Sequence, residues 1–180
     1  MSLIFYSELE DLSAWDVSNN LFFTGMFQNA TRFNSDLSRW ETRSGTSFSF
    51  MFENAISFSS DLSVWDTARS TSMRAMFRNA TSFNSDLSLW DVGRARDTAS
   101  MFNKASSFNA DLSIWAIGNV GNMDAMFSDT QSFNQNLCSW GTRIRSSTSV
   151  TNAFRQSACP VTEEPDLLVD PPSPFCFACA

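Results

Sequence analysis

Residues 82–92 read SFNSDLSLWDV. The chain reads SFSSDLSVWDT over 57–67 and SFNADLSIWAI over 107–117, so the same phrase returns 25 residues to either side. The spacing holds along the chain without a slip at Trp15, Trp40, Trp65, Trp90, Trp115 and Trp140. Leu12, Leu37, Leu62, Leu87, Leu112 and Leu137 keep the same step, as do Phe33, Phe58, Phe83, Phe108 and Phe133. A Met-Phe pair recurs at 26–27, 51–52, 76–77, 101–102 and 126–127. Self-similarity locked in phase over this many copies is the signature of an array whose units stack on one another.

Within one unit, residues 71–83 read TSMRAMFRNATSF. Met73, Met76, Phe77 and Ala80 stand at i, i+3, i+4 and i+7, the spacing of one helical face. That predicts a short helix of about two to three turns, N-capped by Thr71 or Ser72, with Asp97 in the same role one unit later. The following DLSLW, bounded by Asn/Ser and Asp, predicts a short strand. One helix and one strand per 25 residues falls within the 20–29-residue range of leucine-rich repeats. The expected fold is therefore α/β: a right-handed leucine-rich-repeat-like solenoid with one short strand and one short helix per coil. An all-β solenoid is the alternative, and the Met-Met-Phe-Ala spacing argues against it.

The composition suits a packed array. There are 18 Phe, 8 Met and 6 Trp against one Tyr and no His. Hydrophobic residues make up 43% of the chain and charged ones 17%, which excludes a disordered composition. Without His, the commonest general base and metal ligand is missing. A net charge of −7, from 12 basic and 19 acidic residues, argues against nucleic-acid binding. No apolar run approaches 18 residues, so no membrane span is expected. The opening MSLIFYSELEDLSAW has no basic leader and enters the repeat partway. This predicts a sequence that has lost its front end, with an open N-terminal coil available for weak self-association.

All five prolines, Pro160, Pro165, Pro171, Pro172 and Pro174, lie in the tail. The boundary is placed accordingly: a repeat solenoid of about six units over 1–159, then a Pro-rich, Cys-containing cap over 160–180. Ala153-Phe154 arrives two residues late, and atypical end units are what capping requires. The four cysteines, Cys138, Cys159, Cys176 and Cys179, all fall in this end. Disulfides in an oxidising compartment are the expected use, with a four-cysteine zinc site and a redox CxxC as alternatives. The expected pairing joins Cys138 to Cys159, with Cys176 and Cys179 joined to each other or tying down the tail.

The run MFRNATSFNSDLSLWDV (76–92) resembles the 25-residue repeat of BspA-type leucine-rich-repeat surface proteins, found in bacteria and, in related forms, in some unicellular algae. The resemblance covers roughly residues 5–158. It rests on Met-Phe, Ala, Phe-Asn, Asp-Leu-Ser and Trp-Asp recurring in order. It implies a secreted or cell-surface protein used in adhesion or protein binding, and supplies no catalytic residue. Departures include Glu8 for the first Phe, Thr98 for a Met and Ala116 for an Asp.

Stacking turns every repeated position into a ladder. The Phe and Met-Phe ladders read as core. The Trp ladder has two readings. Either a turn near the Ser brings both Leu and Trp inward, or the Trp row stands on an open face as an aromatic platform. The Asp11, Asp36, Asp61, Asp86 and Asp111 ladder, and that of Asp16, Glu41, Asp66 and Asp91, place like charges close together. Each carboxylate either accepts backbone N–H groups at a turn or shares Ca²⁺ between coils. The Ser ladder (Ser13, Ser38, Ser63, Ser88, Ser113) and the Asn ladder (Asn34, Asn84, Asn109, Asn134) are expected to satisfy buried backbone groups. Asn29-Ala-Thr31 and Asn79-Ala-Thr81 are glycosylation acceptors if the chain is secreted.

Constant positions build an array and variable ones decorate it. The variable set richest in chemistry is Arg32, Arg39, Arg43, Arg69, Arg74, Arg78, Arg94 and Arg96, the candidate partner-binding residues. The expected function is a non-enzymatic, secreted or cell-surface module for protein or glycan recognition, with no cofactor and no metal. The alternative is a matrix or wall component assembling end to end, with Ca²⁺ as its link.

Overall fold

The computed structural model describes residues 12–169 and 174–179. The chain winds into stacked coils that return to the same place every 25 residues. Single parallel bridges mark that return: Phe22 to Ser47, Ser47 to Ser72, Ser72 to Asp97 and Asp97 to Asn122. The last step, Asn122 to Ser149, absorbs the two extra residues of the final coil.

The coils contain neither the predicted helix nor the predicted strand. Among the described residues, regular structure is limited to 3-10 turns at Leu12–Ala14, Ile117–Asn119 and Cys138–Trp140 and to isolated bridges. This corrects both the α/β expectation, with its leucine-rich-repeat coil and Thr71, Ser72 and Asp97 caps, and the all-β alternative.

The reason lies in where the backbone donors go. In the stretch expected to be helical, the N–H groups of Met73, Ala75, Phe77 and Asn79 leave the coil. They donate to the carbonyls of Asp97, Ala99, Met101 and Asn103 in the next coil at 2.8–2.9 Å. The alternate donors, Met76, Arg78 and Ala80, turn back to the carbonyls of Met73, Ala75 and Phe77 at 3.0–3.2 Å. An α-helix would keep these donors to itself, bonding each to the fourth residue back. Left-handed backbone at Ala75 (φ 52°) and Asn79 (φ 58°) breaks helical continuity. The same pair of kinks recurs at Gly25 and Asn29, Phe50 and Asn54, Ser100 and Lys104, and Ala125 and Asp129. Consecutive three-residue turns bring Met73, Met76, Phe77 and Ala80 inward just as a helix would, and all four are fully buried. The buried set is as the spacing predicts; the element that buries it is different.

The DLSLW segment is a corner. The Trp90 N–H donates to the Leu87 carbonyl at 3.0 Å, so the chain reverses across Ser88 and Leu89 and both Leu87 and Trp90 point into the core. Trp40, Trp65, Trp90, Trp115 and Trp140 are each at most 3% exposed. Each indole N–H donates to the corner Leu carbonyl of the preceding coil, as from Trp90 to Leu62 at 2.9 Å and from Trp115 to Leu87 at 2.9 Å. The rings stack along the array, Trp65 on Trp90 at 6.4 Å with 1° between planes. The aromatic-platform reading of these rings is thereby replaced by the turn reading. Beside them, Phe77 stacks on Phe83 within its coil at 3.9 Å and on Phe52 and Phe102 of the adjacent coils at 5.6 and 5.7 Å. Burial of each such ring contributes roughly 1.5–3 kcal/mol. Asn side chains lock the register: Oδ1 of Asn34, Asn84 and Asn109 accepts the N–H of Ser59, Asn109 and Asn134 respectively.

The end of the stack is closed by the tail. The bonds formed are Cys138–Cys179 (S–S 2.07 Å) and Cys159–Cys176 (S–S 2.12 Å). This corrects the expected Cys138–Cys159 pairing. Cys138 stands half-buried at the Ser position of the corner, whereas Cys159 is buried with its Sγ 3.6 Å from the Phe133 carbonyl. The two therefore belong to different columns, and each reaches the tail instead. Phe175 and Cys176 are buried. The Phe175 ring meets Phe154 edge-on at 6.5 Å, and its carbonyl takes the Leu137 N–H at 3.3 Å. The tail residues Asp170, Pro171 and Pro172, and Glu8 and Asp11 of the first coil, lie outside the described residues.

Candidate functional site

With the rings and aliphatic ladders turned inward, chemistry is left to the outer surface, and its most regular feature is the corner. In each coil the first Asp caps the corner: Oδ1 of Asp36, Asp61, Asp86 and Asp111 accepts the N–H two residues on, from Ser38, Ser63, Ser88 and Ser113, at 2.8–2.9 Å. The second Asp caps the next bend, Asp16 to Ser18, Asp66 to Ala68 and Asp91 to Gly93. Bonding to the charged form lowers a carboxyl pKa. The Asp16 carboxyl is held below its usual range by the Ser18 hydroxyl first and the Ser18 N–H second. Asp61 is lowered first by the Ser63 N–H and then by the Ser63 hydroxyl, burial pulling weakly the other way and the Ser85 hydroxyl adding to the lowering. These caps occupy every described aspartate of the two ladders, while Glu41 faces Arg43 instead. Among the described residues no three His, Cys, Asp or Glu side chains converge as a metal site. The Ser ladder is part of the corner and not a set of buried partners: Ser38 is exposed and Ser63, Ser88 and Ser113 half-buried.

The residue between Ser and Trp is thrown outward by the same corner. Val64 is 65%, Leu89 80% and Ile114 61% exposed. The sequence showed that this position is mostly apolar; that it faces water follows only from the corner. In sequence this position follows the exposed Asp61, Asp86 and Asp111 by three residues and precedes the exposed Asp66 and Asp91 by two.

All eight predicted arginines are exposed, but they are not gathered into one surface. Arg69 and Arg94 share a register on adjacent coils, near the bend that also carries Arg43. Arg32, Arg39, Arg74, Arg78 and Arg96 sit at five other registers around the coil. Arg43 pairs with Glu41 at 3.8 Å and Arg74 with Asp97 at 3.6 Å. Arg78 pairs with Glu53, whose carboxylate is buried and also accepts from Gln28 Nε2. Gln28, Glu53 and Arg78 thus tie three successive coils together. Sequence reasoning missed this link, although the 25-residue spacing of Gln28, Glu53 and Arg78 carried the signal. Arg78 also lines a shallow depression of about 270 Å³ with Lys104, Asn54, Asn79 and Asn103. There the Asn79 amide donates to Asn54 Oδ1 and the Asn54 amide to Asn29 Oδ1, at 2.9 and 2.7 Å. Asn79, one of the two glycosylation candidates, therefore has an amide hydrogen engaged in the ladder. No helix among the described residues is long and apolar enough to cross a membrane.

A family model described as "Mycoplasma protein of unknown function, DUF285" matches residues 1–106 and again 61–162. The overlapping matches cover most of the chain, and the chain belongs to that family. No curated protein and no solved structure matches it.

Proposed function

We propose that this member of the DUF285 family is a non-enzymatic recognition module displayed outside the cell, secreted or at the cell surface. Its repeat phrase is similar to that of BspA-type surface proteins, whose usual assigned role is adhesion. One observation carries the reading: the repeated aromatic and aliphatic residues face inward, and the variable arginines and the residue before Trp face outward. Trp, Leu and Phe columns are buried from coil to coil, while the position before Trp runs Ala14, Arg39, Val64, Leu89, Ile114, Ser139 at the surface. A rigid interior of this kind fixes side chains over several coils at little entropic cost on binding. The two disulfides fit an oxidising, extracellular setting. The ligand is a protein or a glycan, met by the outward residues, the eight arginines among them.

The test is binding by the oxidised, full-length chain to a glycan array and to immobilised extracellular proteins, read as saturable isotherms. Saturable binding that is lost when outward residues become Ser, with thermal unfolding unchanged, supports the reading. Concentration-dependent polymerisation without saturable binding of any ligand would replace it with a matrix or wall component.

A further inference from the structure

We infer that the depression between Arg78 and Lys104 binds one ring of an acidic saccharide, its anionic group at the two cations and its hydroxyls at the carboxamides of Asn79 and Asn103. The inference rests on the recognition reading above and names the class of glycan that this place would take.

The depression, of about 270 Å³, is lined by Asn54, Arg78, Asn79, Asn103 and Lys104. It opens where a ladder stops. Asn54 Nδ2 donates to Asn29 Oδ1, and Asn79 Nδ2 to Asn54 Oδ1, coil upon coil. The next residue at this register is Lys104, which has no carboxamide to continue the chain. Beside it, Asn103 Nδ2 is engaged by the Ser128 carbonyl at 2.9 Å. Among the described residues no group donates to Asn79 Oδ1 or to Asn103 Oδ1.

The charges select an anion. The lining holds two cations and three carboxamides, with no carboxylate and no apolar side chain. Arg78 is half exposed and pairs with the buried Glu53, so those two charges cancel. Lys104 is exposed and, among the described residues, forms no ion pair. Asp129 follows at the Lys104 register one coil on, but its Oδ2 takes the Ser128 hydroxyl at 3.3 Å and it is not part of the lining. One uncompensated positive charge therefore remains here, in a chain of net charge −7.

The carboxamides select a saccharide over a bare oxyanion. Sulfate brings acceptors for Lys104 and Arg78 but no donor for Asn79 Oδ1 and Asn103 Oδ1. Sugar hydroxyls both donate and accept. A nucleic acid needs several uncompensated cations along its phosphates, and this place has one. The anchor of a protein partner needs a desolvated pocket, commonly for an aromatic ring, and the lining is polar throughout. The volume lies just below the roughly 300–1,000 Å³ of sites that enclose a small molecule. One ring is held, and the rest of the glycan stays in solvent.

The probes are labelled oligosaccharides of galacturonate, of sulfated galactose and of neutral galactose. Each is titrated with the oxidised full chain at about 0.15 M salt and read by fluorescence anisotropy, with sodium sulfate as competitor. Lys104→Asn copies the residue found at this register in Asn29, Asn54 and Asn79, suits the left-handed backbone there (φ 61°), and supplies a donor for Asn79 Oδ1. Lys104→Arg keeps the charge. Arg155→Asn removes an exposed charge two coils beyond Asn103. We expect saturable binding of an acidic probe, at least about tenfold tighter than of the neutral one, and which acidic probe binds names the anion as carboxylate or sulfate. Lys104→Asn should weaken it by about tenfold, the scale of one charge-assisted hydrogen bond, while Lys104→Arg and Arg155→Asn stay within about threefold. The inference is overturned by equal binding to wild type and Lys104→Asn, by an equal loss in Arg155→Asn, by equally tight binding of the neutral probe, or by no binding of either acidic probe. Sulfate competing as tightly as the acidic probe overturns the saccharide assignment. Running Lys104→Asn in the glycan and protein assay separates the two claims. Ligand binding retained by the variant leaves the recognition reading standing and removes the depression, whereas no saturable binding by wild type removes the broader reading.

Discussion

The inner coils and the capped end meet one requirement in two ways. An inner coil such as 72–96 has both its faces covered by copies of itself. Phe77 lies between Phe52 and Phe102, and Trp90 donates to Leu62 while Leu87 accepts from Trp115. The last coil has no such copy beyond it. There the ring of Phe175 meets Phe154 edge-on at 87°, the tail carbonyl of Phe175 takes the Leu137 N–H, and two disulfides hold the arrangement. Repetition needs no covalent help because each coil brings a full set of partners. A short tail brings few, and the cross-links offset that by restricting the unfolded chain.

The sharpest way to break this contrast is to remove a ring from the middle. Trp90→Ala deletes a buried indole, removes one of the two donors to the Leu62 carbonyl (the Trp65 N–H remains), and interrupts the stack on Trp65. A loss of about 3–5 kcal/mol is expected, measured by denaturant unfolding, with the coils on both sides affected. Cys159→Ser with Cys176→Ser attacks only the end. The loop closed is 17 residues, worth about 3 kcal/mol in the chain-entropy account. Limited proteolysis should then cut first after residue 137 while the inner coils persist.

A third, smaller effect concerns the tie across three coils. Arg78→Ala strands the buried Glu53 carboxylate with Gln28 as its remaining side-chain partner. A loss of about 2 kcal/mol is expected, below the usual value for a buried pair because the guanidinium is half exposed. Replacing Glu53 and Arg78 together by Gln and Leu should recover most of it.

The smallest effect separates the corners. The Asp61 carboxyl pKa is held below its ordinary value by the bonds it accepts from the Ser63 N–H and hydroxyl. Its contribution to stability is present above its unfolded pKa, about 4, and is lost as the pH falls through the lowered folded value. Asn136 caps the last corner without a charge, so that corner contributes no such dependence. Asp61→Asn should keep the turn and flatten the acid limb of the stability profile slightly, as read by thermal unfolding between neutral and acid pH.

Much of this architecture can be read from the sequence, and the part that cannot has a physical cause. The 25-residue step, the inward Phe, Met, Leu and Trp columns and the cysteine-rich end follow from repetition and apolar patterning alone. The helix does not, because apolar residues at i, i+3, i+4 and i+7 suit a chain of three-residue turns as well as an α-helix. What distinguishes the two is the destination of the N–H of Ala75 or Asn79, which lies in the next coil. A partial signal was present in Asn29, Asn54 and Asn79, since Asn is a poor interior helix residue and tolerates left-handed backbone. The strand was misread for a related reason: alternation in DLSLW cannot place Leu87 and Trp90 on one side, so the sequence posed the corner without deciding it. The outward position before Trp depended on that corner. The Arg set was legible as exposed decoration, but its scatter over seven registers was legible only once the coil had a shape.

The most direct test of the inward-facing repeat is acrylamide quenching of tryptophan fluorescence in the oxidised protein. Trp40, Trp65, Trp90, Trp115 and Trp140 are at most 3% exposed, whereas Trp15 is 39% exposed. The expected result is a blue-shifted emission with one minor quenchable component, which Trp15→Phe removes. A red-shifted emission, uniformly quenched in a protein that still unfolds cooperatively, would put the Trp column at the surface and contradict the stacked-coil account.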